Sequence, residues 1–172
     1  MAIAEIKAVA NGSWFKNLYS GNTSKGTMYP QCMSYYDGSA SSYEIGFIFF
    51  GNINIASTDT AKVRISIDEI YYNAKPLRFG YYNTKQTIDT VQYDSPRTQF
   101  YTITSPAEQI YEFDLDYRAA NNGLCFWVDQ SSTIGNSSSV EIDNIGRTEY
   151  PRLFLTIQDA TISYFDVSGN NA

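Results

Sequence analysis

Val63-Arg64-Ile65-Ser66-Ile67-Asp68 alternates apolar and polar side chains without a break. Such a period of two places every second side chain on the same face, which is typical of a β-strand with one face buried. The alternation recurs along the chain, over Leu77–Tyr81, Tyr111–Tyr117, Leu124–Val128 and Leu153–Ile157. A last strand is predicted over Ala160–Val167. The nearly continuous apolar run Glu44–Phe50 predicts a central strand that is covered on both faces.

Turn-forming residues separate these runs, as in Asp37-Gly38-Ser39, Asn121-Asn122-Gly123 and Tyr150-Pro151. No long segment carries a convincing helical stripe; Ala2–Ala10 comes nearest to one and fits a strand almost as well. The sequence therefore predicts an all-β fold of about eight to eleven strands, an antiparallel two-sheet sandwich of jelly-roll type. Residues 1–172 are expected to form a single domain with a short polar tail at 168–172.

Composition excludes several classes of function. The formal net charge is −6, which argues against a nucleic-acid partner because phosphate contacts need clustered basic side chains. The chain has no histidine, so Ser-His and Cys-His nucleophiles and His-ligated zinc are excluded. The longest apolar stretch, Ile45–Phe50, is far too short to cross a bilayer, and no membrane insertion is expected. The opening Met1–Lys7 does not have the pattern of a secretory signal.

Cys32 and Cys125 lie far apart in the sequence and match no zinc-binding or Cys-x-x-Cys spacing. Two alternatives stay open for them. They are either two buried free thiols or the ends of one long-range disulfide, which would form only in an oxidising compartment.

Three carboxylates are the first candidates for chemistry. Glu112, Asp114 and Asp116 alternate along one predicted strand and should share a face. The run Glu112-Phe113-Asp114-Leu115-Asp116 resembles the Glu-x-Asp-x-Glu signature of laminarinase-type glycoside hydrolases, with Asp116 standing where that pattern has glutamate. The resemblance implies a nucleophile and an acid/base at Glu112 and Asp116. The other interpretation, a solvated polar face without catalysis, is favoured.

Exposed aromatic rings are the second candidates. If Leu124, Phe126 and Val128 face the core, then Trp127 faces outward or towards a groove. Tyr82, Tyr72 and Tyr36 are expected to be placed in the same way in the doublets Tyr81-Tyr82, Tyr71-Tyr72 and Tyr35-Tyr36. Exposed rings among Asn, Ser and Asp fit a carbohydrate site, because sugars stack their C–H faces on them, but they equally fit a protein interface.

The third candidate is a structural calcium ion, with no other cofactor expected. Calcium takes six to eight oxygen ligands, and Asp159, Asp166 and Asp37 are the carboxylates nearest to a suitable loop. No loop has the regular acidic spacing of an EF-hand.

Two runs carry a resemblance to known families. Ser42-Tyr43-Glu44-Ile45-Gly46-Phe47-Ile48-Phe49-Phe50, followed by Lys62-Val63-Arg64-Ile65-Ser66-Ile67, resembles strands of bacteriophage structural modules. Leu155–Phe165 is similar to the closing strand of galactose-binding-like sandwiches, with Gln158 in place of the first aspartate of that pattern. Both resemblances imply a jelly-roll-like sandwich, and neither implies catalysis.

The phage resemblance implies a virion component such as a tail tip, fibre, baseplate or capsid-decoration protein. We therefore expect a non-catalytic structural or adhesion protein, made in the host cytoplasm and located on the virion. Its expected partners are further copies of itself, other virion proteins and a cell-surface glycan. The second hypothesis is an extracellular carbohydrate-binding module of a polysaccharide-degrading system, and the third is the laminarinase-like hydrolase.

Overall fold

The computed structural model describes residues 2–157, which form twelve strands and one short helix. The strands are β1 (Ala2–Lys7), β2 (Ala10–Asn17), β3 (Thr23–Gly26), β4 (Gln31–Tyr36), β5 (Ser41–Phe49), β6 (Thr60–Tyr72), β7 (Leu77–Tyr82), β8 (Arg97–Ile103), β9 (Ile110–Leu115), β10 (Leu124–Val128), β11 (Ser138–Ile142) and β12 (Arg152–Ile157). The helix α1 is Tyr117–Asn122. The strand predicted at Ala160–Val167, the tail 168–172 and the calcium candidates Asp159 and Asp166 lie outside the described residues.

The predicted antiparallel all-β fold is confirmed. Every strand pair is antiparallel, and the described strands number one more than the predicted maximum. The helical alternative for Ala2–Ala10 is wrong, because β1 occupies Ala2–Lys7 and β2 begins at Ala10. The strand predicted over Tyr111–Tyr117 ends at Leu115, where α1 follows. Within residues 2–157 no helix has the length and hydropathy to span a membrane.

Two layers of strands enclose the main core. One layer contains β1, β12, β6 and β9, with β11 and β4 continuing from the second half of β6; the other contains β8, β7, β10, β5, β2 and β3. Across the layers, the Phe113 ring of β9 lies 4.9 Å from Phe79 of β7 and 4.1 Å from Tyr101 of β8, measured between ring centroids. The alternating apolar side chains of the sequence therefore meet between two sheets, as in a β-sandwich.

The two layers join along β5. One edge of β5 pairs with β2 over Ser42–Phe49, whereas the other edge is shared: β4 pairs with Ser41–Glu44 and β10 pairs with Gly46–Ile48. The sheet thus divides at Gly46 into the leaf led by β4 and the leaf led by β10.

A second, smaller core lies on the other side of β5. Tyr43, Ile45, Phe47 and Phe49 point away from the main core and are covered by residues 83–96, the connection between β7 and β8. Val91 at the centre of this connection is completely buried. The prediction that Glu44–Phe50 is covered on both faces is confirmed, since every residue of that run is buried.

Candidate functional site

Two of the four aromatic candidates belong to the second core. The expectation that Tyr82 is exposed is wrong: its side chain is 2% exposed, and burial raises the pKa of its hydroxyl. Tyr82 does point away from the main core, but residues 83–96 cover that face. Trp127 is half-buried against the same core, with the Arg97 guanidinium 5.1 Å from its ring centroid. Neither ring offers a free stacking surface.

Tyr36 lies at one end of the sandwich, in a shallow groove beside the connection between β10 and β11. Its half-buried side chain lines this groove together with Ser41, Gln130, Ser131 and Ser132. The groove has a volume of about 310 Å³, and its lining consists of hydroxyl groups, one amide and one ring.

Tyr72, at the end of β6, is 65% exposed and has a left-handed backbone, with φ at 65°. It is the one residue other than glycine with a positive φ among residues 2–157. Strand alternation from Ile70 would direct Tyr72 towards the inner side, where its partner Ser138 is completely buried. The left-handed backbone breaks this alternation, and the Tyr72 ring instead lies 6.0 Å from the ring of Tyr35.

Tyr35 and Tyr72 form part of a larger aromatic surface, here named the tyrosine face. Strand register places Tyr35, Met33, Ser139 and Tyr71 on one outer face of β4, β11 and β6, and Tyr72 joins them through its turned backbone. Tyr71 is 48% exposed. Three tyrosine rings are therefore presented side by side on a rigid sheet.

Acidic groups border the tyrosine face. Glu69 and Glu141 are paired in register two residues from Tyr71 and Ser139, on the same side of the sheet. A hydrogen bond to Glu69 raises the pKa of Tyr71 to about 12. Burial, together with the charges of Asp68 and Glu69, raises the pKa of Glu141. The face thus combines flat rings with hydrogen-bond acceptors and carries negative charge.

Asp37, in the turn after β4, connects the tyrosine face to that turn by hydrogen bonds. One carboxylate oxygen accepts hydrogen bonds from the Ser39 and Ala40 backbone N–H groups and from the Ser39 hydroxyl, and the other accepts from the Tyr35 hydroxyl at 3.1 Å. These bonds lower the pKa of Asp37 to about 2. No group of three or more metal-binding side chains comes together among residues 2–157, so the calcium candidate Asp37 belongs to no such group.

The hydrolase candidates Glu112 and Asp116 are not arranged as a pair. Glu112 is exposed on β9, opposite Arg64. Asp116 lies beyond the end of the strand and caps α1: its carboxylate accepts from the Arg118 backbone N–H at 2.9 Å and pairs with the Arg118 guanidinium at 2.8 Å. Asp114 is bound to Lys62 at 3.2 Å. The strand alternation that would have aligned the outer two carboxylates ends before Asp116.

We expect Asp116→Ala to lower the free energy of unfolding by about 1 kcal/mol, because α1 loses its N-cap. The hydrogen bond from Arg118 lowers the pKa of Asp116. Its stabilising effect is therefore present above the pKa of an unfolded aspartate and is lost as the pH falls through the folded value. Urea unfolding at pH 7 and near pH 3 measures this difference. Glu112→Gln is the control and should leave stability unchanged; an equal loss in both variants would contradict the capping role.

Cys32 and Cys125 are both buried and unbridged. Cys32 packs in the main core and Cys125 in the second core. Burial raises the pKa of both thiols, that of Cys125 to about 12, so neither is a reactive thiolate. Of the two alternatives from the sequence, the free thiols are observed.

We expect Tyr72→Gly to be more stable than Tyr72→Ala by about 1 kcal/mol, since alanine keeps the left-handed strain that glycine relieves. Both variants lose the same ring, so their difference isolates the backbone cost. The comparison of Tyr71→Gly with Tyr71→Ala is the control. At an ordinary strand position alanine should be the more stable of the two, and the same order at both positions would refute the strain at Tyr72.

Comparison with known protein families and curated proteins gives no match, so the interpretation of the site depends on its geometry. No protein-family model matches this chain, and no curated protein matches it at a significant level. The resemblance to phage modules and galactose-binding-like domains thus depends on the sequence runs quoted above. Tyr35 and Tyr71, which sequence reasoning did not select, become visible only through the strand register.

Proposed function

We propose that this protein is a non-catalytic structural and adhesion component of a phage virion that binds cell-surface glycan through the tyrosine face. The observation that carries the proposal is Tyr72, an exposed ring held against Tyr35 by a backbone conformation that costs about 1 to 2 kcal/mol. Strain of this kind clusters at binding sites, where the position of a side chain matters more than stability. Nothing in the core of the sandwich needs the Tyr72 ring.

The chemistry of the tyrosine face suits a neutral sugar. The apolar C–H faces of a hexose stack on aromatic rings, and the carboxylates of Glu69 and Glu141 accept hydrogen bonds from hydroxyl groups. The same carboxylates repel an anionic polysaccharide, because like charges brought together cost free energy. The proposed ligand is therefore an uncharged stretch of a bacterial surface glycan.

The location on a virion and the self-association expected from the sequence form the second part of the proposal. They are supported by the phage resemblance of the runs 42–50 and 62–67 and by the exposed aromatic rings, such as Tyr71 and Tyr72, which a lattice or ring could use as contacts. Sedimentation velocity tests this part. Oligomers or particle-bound protein would support it, whereas a strict monomer would favour a tethered carbohydrate-binding module.

We expect Tyr72→Ala and Tyr35→Ala each to weaken binding to immobilised bacterial surface polysaccharide about tenfold, which corresponds to the loss of one stacking contact. Tyr19→Ala is the matched control, because Tyr19 is 63% exposed but lies outside the tyrosine face. Trp127→Ala should also leave binding unchanged, since that ring already stacks with Arg97. Glycan binding that survives the loss of Tyr72 and Tyr35 would remove the tyrosine face from the function.

A further inference from the structure

A second concave site lies at the opposite end of β5 from the residues that pair with β4. It is a pocket of about 310 Å³ between the start of β2, the loop after β5, the first residues after β7 and the junction of α1 with β10. Ala10, Phe49, Phe50 and Ile88 provide apolar walls. The pocket uses none of the residues of the tyrosine face, and the proposed glycan function does not need it.

Backbone geometry keeps the pocket in shape. Gly123, at the junction of α1 and β10, has φ at 113°, a conformation that disfavours any residue with a Cβ. A Cβ at Gly123 would also collide with the ring of Phe49, which forms the pocket wall. The Gln86 backbone N–H also donates to the Asn122 carbonyl at 3.0 Å and ties the β7 connection to the helix. The site is therefore preformed.

The volume and the apolar lining of the pocket indicate the size and polarity of the ligand that it can hold. An apolar protein cavity of about 150 Å³ holds benzene, so a pocket of roughly twice that volume accommodates about twelve carbon atoms. Apolar walls with a few polar groups at one end are the usual design of small-molecule sites.

The polar end of the pocket carries a positive charge. The Lys85 ammonium donates a hydrogen bond to Oδ1 of Asn52 at 2.6 Å, which holds the charge at the mouth. The ion pairs formed among residues 2–157 do not include Lys85. Asn52 is exposed as well, and its amide nitrogen is a further donor beside the ammonium. Two adjacent donors, one of them cationic, match the two oxygens of a carboxylate.

We propose that this pocket binds a small amphipathic monocarboxylate, with its apolar body against Phe49 and Ile88 and its carboxylate at Lys85 and Asn52. A medium-chain fatty acid has this chemistry. The ligand class combines the apolar walls with the charge of Lys85, because a carboxylate at the exposed ammonium gains a charge-assisted hydrogen bond that a neutral molecule cannot form.

Isothermal titration with decanoate and with 1-decanol tests the proposal on the full chain. We expect decanoate to bind with one site per chain and more tightly than decanol. Lys85→Met should weaken decanoate binding about tenfold and leave decanol binding unchanged, because the variant keeps the aliphatic length but removes the charge. Ala10→Leu should weaken both ligands, because the larger side chain occupies the pocket.

Lys62→Met is the matched control, since Lys62 is an exposed lysine on the outer face of β6 in the other layer. The absence of decanoate binding to the unmodified protein would overturn the proposal, as would equal effects of Lys85→Met and Lys62→Met. If circular dichroism shows that Ala10→Leu does not fold, the test depends on Lys85→Met alone, through the difference between its affinities for decanoate and for decanol. Loss of decanoate selectivity supports the site, and retained selectivity refutes it.

Discussion

Gly46→Ala is expected to lower the free energy of unfolding by at least about 3 kcal/mol, the upper part of the range for overpacked cores. Gly46 lies where the sheet divides, opposite Phe126 of β10. A Cβ at this position would overlap the Phe126 ring, and its three nearest atoms all belong to that ring. Phe126 is completely buried in the main core, so shifting its ring away from the added Cβ would disturb close-packed neighbours. Urea unfolding followed by circular dichroism measures the loss.

Gly26→Ala is the control for this prediction. Gly26 is also a strand glycine, but the atom nearest to its added Cβ is the Ser13 hydroxyl oxygen at 3.9 Å, an ordinary contact. A rescue experiment adds a second check. Phe126→Leu makes room beside residue 46. The double variant should therefore lose less unfolding free energy than the two single variants lose together, by about 1 kcal/mol or more. Strictly additive losses would show that the collision with Phe126 is not the cause.

Strand alternation predicted the fold wherever apolar residues occupy the buried positions. β6, β7, β10 and β12 satisfy this condition, and their predicted runs lie within or on the observed strands. β2 and β11 escaped notice because Asn11, Ser13 and Ser138 fill buried positions there. Polar residues at such positions hide the period of two. The hydrogen bonds of Ser13 to Glu44 and of Asn11 to the backbone of Ile145 replace the apolar packing that sequence reasoning looks for.

The aromatic candidates show a different limit of sequence reasoning. Alternation correctly directs Tyr82 away from the main core, but it carries no information on a connection that later folds over that face. Tyr72 was expected outside as one ring of the Tyr71-Tyr72 doublet, and counting alternate residues onward from the buried Ile67 gives the same side. The count fails at the register shift beside Ile142, after which Ile70 faces inward, and only the left-handed backbone returns Tyr72 to the surface. Its exposure therefore results from two irregularities that the sequence does not display.

Val91→Asp is expected to release the 83–96 connection from β5 at a cost of about 3 kcal/mol. Val91 is completely buried in the second core, and a charge placed there has no partner, which is among the most destabilising of single substitutions. Two long side chains also hold the connection against β2 and β3. Trp14 donates from its ring nitrogen to the Val91 carbonyl at 3.1 Å, and the Lys25 ammonium donates to the Ile88 carbonyl at 2.6 Å. These contacts lose their acceptors when the connection leaves the sheet.

Tryptophan fluorescence reports this release directly. The chain has two tryptophans, and both Trp14 and Trp127 pack against the second core. Their emission should shift to longer wavelength in Val91→Asp, and limited proteolysis should cut within residues 83–96 while the sandwich stays intact. Ile110→Asp is the matched control, because Ile110 is 43% exposed on β9 and lies outside both the second core and the pocket. Unchanged emission in Val91→Asp would mean that the second core does not depend on this connection. Since Ile88 lines the apolar pocket, the released connection should also abolish decanoate binding, whereas glycan binding at the tyrosine face should persist.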